Sequence, residues 1–263
     1  MTAADRSGVG YDQLPLLAEA GFDYAELPLA QLSQCGESEL EEICGVLEEC
    51  GVPCEACNNF FPASVRLTGP NADLSRALDY ARSALDLAAG LGAKTVVFGS
   101  SGAKNIPEGW PAEKAFGQLV TLLEALGPML DARNLTVAIE PICQREGNLI
   151  LNLTEGLRLM EAVSHPRVRL LADWYHMAVE EESPEILRTA APVLCHVHLS
   201  VPEGRLWPTE ARPGAEPMLR ALLSLGYGGR VSVEAYSNDF ASDAPAAAVW
   251  FRSELSRYVP ECQ

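Results

Sequence analysis

Val168-Arg-Leu-Leu-Ala-Asp173-Trp-Tyr-His176-Met177 is an apolar run that ends in an acid, with an imidazole three residues further on. A short apolar run of this kind reads as a buried strand. A carboxylate at its end is costly to bury unless it is paired or holds a cation. Three other runs end in the same way. Thr136-Val-Ala-Ile leads into Glu140, Cys195-His-Val into His198, and Val231-Ser-Val into Glu234. Four potential ligands at four strand ends point to one divalent-metal site.

Outward from this stretch, short apolar runs alternate with amphipathic segments, the signature of parallel βα units. Strands are expected at Phe22–Leu27, Pro53–Phe61, Lys94–Gly99, Thr136–Ile142, Val168–Asp173, Cys195–Ser200 and Arg230–Ala235. Helices are expected at Tyr11–Ala20, Glu37–Cys50, Ala72–Leu91, Ala112–Ala132, Thr154–Val163, Pro184–Ala191, Ala215–Leu225 and Ala244–Tyr258. Gly21, Gly51, Gly92 and Gly226 stand where helices should end. This pattern predicts an α/β TIM-type (β/α)8 barrel as a single domain over residues 1–263. The segment Met1–Gly10 is a poor strand, so the first strand is expected to be missing or atypical. The alternative is an open doubly wound sheet.

The chain has 263 residues, is 48% apolar and carries a formal net charge of −17. That acidity opposes nucleic acid and anionic membranes, both of which call for a basic surface. No run of 18 apolar residues exists to span a bilayer. The N-terminus lacks the basic and apolar regions of a secretory signal, and a cytoplasmic protein is expected. The eight cysteines read as reduced thiols, since a core of this size needs no disulfides. Cys54 and Cys57 form a CxxC, but strand alternation should point their side chains to opposite faces.

In a closed parallel barrel, active-site groups come from the C-terminal strand ends. Glu140, Asp173, His198 and Glu234 lie on four consecutive predicted strands and should converge on one side of the mouth. Three carboxylates and one imidazole suit Mn²⁺, Mg²⁺ or Co²⁺, with Zn²⁺ a further candidate. Glu146, His176 and Arg205 follow closely in the same loops. Together they can hydrogen-bond the hydroxyls and carbonyl of a small polyol. Other groups have simpler readings. His196 shares the parity of His198 and is expected in a deeper layer, satisfied by hydrogen bonds. His165 is expected in an exposed turn. Trp110 and Trp207 are expected in loops over the mouth, able to stack on a sugar or to pack the loop bases. Lys104 is expected to be solvated, and Glu180–Glu182 to form an anion cluster at a helix N-terminus.

These residues resemble the xylose isomerase-like TIM barrels, the sugar phosphate isomerase/epimerase superfamily, and within it the ketose 3-epimerase branch. Glu140-Pro-Ile142 with Glu146 and Asn148 resembles that branch's acid-proline-apolar motif with a second acid six residues on. Asp173-Trp-Tyr-His-Met177 and the three acids after it resemble its Asp-x-x-His-Met motif. His196-Val-His198 and Gly226-Tyr-Gly-Gly-Arg-Val-Ser-Val-Glu234 resemble its last two strands. The likeness extends to Asn59-Phe-Phe-Pro62, Val97-Phe-Gly-Ser100 and Asn105-Ile-Pro-Glu-Gly109. Cys143-Gln144 stands where that branch often has Asn-Arg, and Arg205 is one residue further from His198.

The resemblance implies that Glu140, Asp173, His198 and Glu234 bind one divalent metal. It also implies that Glu140 and Glu234 act as the acid/base pair, while Glu146, His176 and Arg205 hold the substrate carbonyl end. The activity implied is epimerisation or isomerisation of a small keto sugar by proton transfer through a metal-stabilised enediolate. Other outcomes of the same chemistry are dehydration of a cyclic keto-polyol such as an inosose, and hydroxypyruvate isomerisation. A degenerate barrel that binds sugar or serves a larger complex is the non-enzyme alternative. The DNA-repair branch of the superfamily needs more histidines than four and a less acidic surface. Self-association is a further expectation, since a partner subunit could cover an incomplete barrel wall.

Overall fold

A computed structural model describes residues 8–258 of the chain. Seven parallel strands run in sequence order around one sheet: β1 (Ala25–Pro28), β2 (Cys54–Asn58), β3 (Thr95–Phe98), β4 (Thr136–Ile139), β5 (Val168–Asp173), β6 (Leu194–Leu199) and β7 (Arg230–Val233). Each pairs in parallel with the next. Strands that each neighbour their successor, with helices between, wind a nearly closed TIM barrel rather than a doubly wound sheet, whose strand order would reverse.

The outer helices are α1 (Leu14–Ala20), α2 (Leu29–Leu32), α3 (Glu37–Cys50), α4 (Leu74–Gly90), α5 (Ser101–Lys104), α6 (Ala112–Arg133), α7 (Leu153–Val163), α8 (Trp174–Val179), α9 (Leu187–Ala190), α10 (Glu216–Ser224) and α11 (Phe240–Tyr258). Polar caps set several starts. Asp73 accepts from the Arg76 amide at the head of α4, and Asn152 from the Glu155 amide at the head of α7. Gly21 and Gly51 end α1 and α3 in the left-handed region, at φ of 82° and 66°, where a side chain would be strained. The short helices α2, α5 and α8, which the sequence did not reveal, each follow a strand end within two residues and crowd the barrel mouth. β1 to β4 and β7 are shorter than expected, whereas β5 and β6 keep their expected length of six residues.

The barrel closes differently between β7 and β1. Among the described residues no backbone ladder joins these strands. Gly8 to Gly10 form no strand and lead into a 3-10 turn at Tyr11–Gln13; the rest of the expected atypical first strand, residues 1–7, lies outside the described residues. Side chains bridge the seam instead. Tyr24 and Ser232 hydroxyls lie 2.8 Å apart, and the Ser232 hydroxyl donates to Glu26 at 2.5 Å. Arg230 makes a two-pronged contact with Glu55, both distances 2.6 Å, and its guanidinium sits 5.1 Å from the Tyr24 ring centre. Trp207 packs edge-on against Phe22 and Phe240 at 6.0 and 5.2 Å. It lies in the loop after β6, as expected, and is fully buried, so of its two expected roles it packs the loop base and offers no face to a sugar.

Two bulges shift the strand registers. In β2, Glu55 is the extra residue, since Ala25 pairs with Cys54 while Glu26 pairs with Ala56. The bulge cancels the alternation expected of a regular strand, and the Cys54 and Cys57 sulfurs lie 3.9 Å apart on one side. Both are free thiols, as are the other described cysteines. In β6, Cys195 is the extra residue, and the shift sets His198 beside Asp173. Below the strand ends, Val97, Ala138 and Leu171 form a small apolar cluster apart from the main core. They stand two residues before Gly99, Glu140 and Asp173 and share their strand face, so they floor the site. No helix among the described residues is long and apolar enough to cross a membrane.

Trp207→Ala should remove the aromatic contact between Phe22 and Phe240. A loss of about 3–5 kcal/mol is expected, as for other buried aromatic truncations, read as a lower midpoint in urea denaturation.

Candidate metal and substrate site

Four ligand-type residues come together at the C-terminal end of the barrel. Single ligand atoms of Glu140, Asp173, His198 and Glu234 all lie within 4.8 Å of one another. Glu140 and Glu234 each extend a strand by one backbone bond, to Phe98 and Leu199 respectively, both at 3.2 Å. His198 Nδ1 lies 2.9 Å from Glu140 Oε1, 2.7 Å from Glu234 Oε2 and 3.9 Å from Asp173 Oδ2. One ring nitrogen cannot serve three carboxylates as a hydrogen-bond donor. The contacts mark a point on which four donor atoms converge.

Arg205 reaches into the same space. Its Nη2 is 2.7 Å from Glu234 Oε2 and 3.1 Å from Asp173 Oδ2, and its Nη1 is 3.5 Å from Glu146 Oε1. The guanidinium also lies over the Tyr175 ring, 4.7 Å from its centre. Arg205 adopts a left-handed backbone with φ 51°, just after Gly204 at φ 75°, which turns the side chain inward. His176 Nδ1 accepts from the Cys143 amide at 3.3 Å, which leaves the proton on Nε2. That Nε2 is 3.6 Å from Asp173 Oδ2. Glu146 stands at the rim and is exposed. All seven sequence-predicted site residues are therefore adjacent.

Charge explains the site's demands. Burial raises the Asp173 carboxyl well above the usual carboxylate range, with Glu234 and Glu140 adding to the effect against Arg205. Burial would also raise Glu234, but the Arg205 guanidinium and the His198 ring outweigh it and hold Glu234 well below that range. Burial favours a neutral His198; Glu26, Glu234 and Glu140 overcome it and raise its pKa well above the usual histidine value. Burial and then Arg205 depress His176 to about 4. Three crowded carboxylates thus take positive charge from wherever it is available.

The donor set fits a divalent cation. Glu234 Oε2 is buried and has no well-aligned hydrogen bond despite its close neighbours, as expected of a ligand oxygen. Three carboxylates and one imidazole suit a hard or intermediate divalent ion. Room for them is built in. A Cβ on Gly99 would lie 2.1 Å from Glu140 Oε2, so only glycine admits that carboxylate.

Around the site, two buried charges escaped the reading of the sequence. Glu26, on β1, is buried beneath the ligands and bonded to both His196 and His198, 2.8 and 2.9 Å away. Its signal was available, since it is an acid in the middle of an apolar strand. Lys104, expected to be solvated, is fully buried on α5 and donates to the Glu140 main-chain carbonyl at 2.9 Å. Burial lowers its pKa to about 8. The turn of α5 after β3 folds the lysine back beside Phe98, whose ring centre is 5.9 Å from its Nζ.

Other expectations resolve simply. His196 lies deeper and is satisfied, bonded to Glu26 and to Ser232 at 3.1 Å. His165 is half-buried rather than exposed, because its ring packs against Gly127. Trp110 lines a cleft between α4 and α6 that none of the four ligand-type residues borders. Glu180 to Glu182 follow the C-terminus of α8, not the N-terminus of their own helix; Glu182 instead accepts from the Leu153 amide at the head of α7.

The fold thus gathers a donor set of the cation-holding type at the mouth of a parallel barrel. The xylose isomerase-like TIM barrel family model matches residues 14–254, and the chain belongs to that family. A probable ketose 3-epimerase from Synechocystis sp. is 27% identical over 123 residues, which cover 44% of this chain and 41% of the relative. A D-psicose 3-epimerase from Agrobacterium fabrum is 26% identical over 144 residues, covering 53% of this chain and 49% of the relative. The matched regions thus span less than half the length of either relative. The crystal structure of D-allulose 3-epimerase from Methylomonas sp. with D-allulose superposes with a TM-score of 0.84 at 20% identity, over 95% of this chain and 93% of that one. At that identity it shows the shared fold.

Gly99→Ala should displace the Glu140 carboxylate and weaken Mn²⁺ binding about tenfold or more, measured by titration calorimetry. His176 sets a pH dependence. The folded chain keeps it neutral down to about 4, whereas the unfolded chain protonates it near 6.5. The unfolded state therefore binds more protons between these values, and the stability held above about pH 6.5 is lost as the pH falls towards 4. Metal-free wild type should lose on the order of 3 kcal/mol more than His176→Gln across that window, read by urea denaturation at each pH.

Proposed function

We propose that this protein is a divalent-cation-dependent epimerase of a small keto sugar, of the ketose 3-epimerase kind. The observation that carries the reading is the placement of two carboxylates from separate strands, Glu140 and Glu234, both against His198 Nδ1 at 2.9 and 2.7 Å. Epimerisation next to a carbonyl needs one base to remove a proton and a second acid to return one on the other face. Two carboxylates entering the site from β4 and β7 supply that pair. The names of the relatives support the substrate class.

Glu140, Asp173, His198 and Glu234 would hold the cation. When bound, it supplies positive charge that acidifies the carbon beside the substrate carbonyl and stabilises the enediolate. The chain's own groups do the rest. Glu140 or Glu234 accepts the carbon-bound proton, and its counterpart donates one from the opposite side. The His176 Nε2–H and the Arg205 guanidinium are donors aimed into the site, suited to the oxygens at the carbonyl end of a sugar. Glu146 is an acceptor at the rim for a hydroxyl. Lys104 anchors the Glu140 backbone from outside, and the Val97, Ala138 and Leu171 floor keeps water out from below.

Deuterium uptake by NMR tests the reading. Metal-loaded protein in D₂O with a panel of ketoses, inososes and hydroxypyruvate should label the carbon beyond the carbonyl, away from the chain end. Glu140→Gln and Glu234→Gln should each lose about 10²–10⁴-fold of that rate, the usual contribution of a general acid or base. Near-normal exchange in either variant overturns the two-carboxylate assignment. Labelling of the terminal carbon would instead mean an aldose–ketose isomerase.

A further inference from the structure

Beneath the four ligand-type residues lies a buried network that the proposed chemistry leaves unexplained. Glu26 is 1% exposed, on the strand next to the barrel seam. Its Oε1 is 2.9 Å from His198 Nε2. Its Oε2 is 2.8 Å from His196 Nε2 and accepts from the Ser232 hydroxyl at 2.5 Å. The Ser232 oxygen lies in turn 2.8 Å from the Tyr24 hydroxyl, which can donate to it. A buried carboxylate is costly unless fully hydrogen-bonded, and three side chains on β6 and β7 are spent on this one.

His198 is where the network meets the site. Its two ring nitrogens face opposite ways, Nε2 towards Glu26 and Nδ1 towards Glu140 and Glu234. A carboxylate accepts only from a protonated nitrogen. For Nδ1 to offer a lone pair where Glu140 and Glu234 converge, the one proton of the neutral ring must sit on Nε2, and Glu26 is the acceptor placed to hold it there. Carboxylates behind a ligating histidine also make the imidazole a better donor. The remaining Glu26 oxygen is pinned by His196 and Ser232, so it cannot swing away from the ring.

We infer that Glu26 is a positioning residue that fixes the tautomer and orientation of His198 and thereby sets the cation affinity of the site. It touches neither the cation nor the substrate. This inference rests on the proposed cation site, and the test separates the two. Mn²⁺ affinity of metal-free protein is measured by calorimetry for wild type, Asp173→Asn and Glu26→Gln, with the melting temperature of each metal-free form. The glutamine keeps the shape and an acceptor oxygen but removes the charge. Glu26→Gln should bind Mn²⁺ about 10–100-fold more weakly, in metal-free protein that still melts in one cooperative transition above the assay temperature. Unchanged affinity in Glu26→Gln, beside lost affinity in Asp173→Asn, overturns the inference alone. No Mn²⁺ binding by wild type overturns the cation site and this inference with it.

A spectroscopic measurement on wild type guards against a variant that does not fold. In Zn²⁺-loaded, ¹⁵N-histidine-labelled protein, long-range ¹H–¹⁵N spectra should show His198 with a protonated Nε2 and a metal-shifted Nδ1. A protonated Nδ1 with a metal-shifted Nε2 would overturn the assignment.

Discussion

Three carboxylates and one imidazole converge within 4.8 Å at the end of a barrel filled with buried side chains. Much else in the structure answers to that crowding of negative charge. Arg205 adopts a strained backbone to put its guanidinium between Asp173 and Glu234. His198 is raised well above its usual pKa by the acids around it. Gly99 carries no side chain because the Glu140 carboxylate occupies the space one would need. A divalent cation would replace several of these partial remedies with one compact charge, to which the carboxylates are far better matched than to any hydrogen-bond donor.

The barrel supplies the geometry for this at modest cost. Parallel strands tilted around a closed sheet send their C-terminal residues towards a common axis. Each ligand-type residue therefore arrives at or just past a strand end, while the outer groups come from beyond the strands: Glu146 from a loop, His176 from α8 and Arg205 from a 3-10 turn. Rigidity beneath the site comes from a second polar layer of Glu26, His196, Ser232 and Tyr24. These groups also stitch β7 to β1 where no backbone ladder does. The seam and the site thus share residues, so the means of closing the barrel also braces its chemistry. Trp207, wedged between Phe22 and Phe240, covers the same side with apolar surface.

Much of the site was legible because strand-end acids in apolar runs have few innocuous explanations. Glu140, Asp173, His198 and Glu234 were each marked by the same conflict between a buried strand and an ionisable group. Glu26 carried that conflict too, but in mid-strand, where only its neighbours across the barrel show how the charge is satisfied. Lys104 was read as a surface lysine because nothing local announces that α5 will fold it inward. The Cys54–Cys57 pair was misplaced because alternation assumes a regular strand, and the extra residue at Glu55 appears only once β2 is paired with β1.

The order of the strands and the longer helices, the barrel class and the four ligand-type residues were all legible along the chain, since periodicity and burial cost are local properties. Tertiary structure alone decided which nitrogen of His198 faces the carboxylates, how the seam is closed and where Arg205 and Lys104 place their charge. These depend on contacts between residues as far apart as Glu26 and Ser232, which meet only when the last strand comes round to the first. No local pattern encodes that meeting, because it is the closure of the barrel that brings the two ends of the chain together.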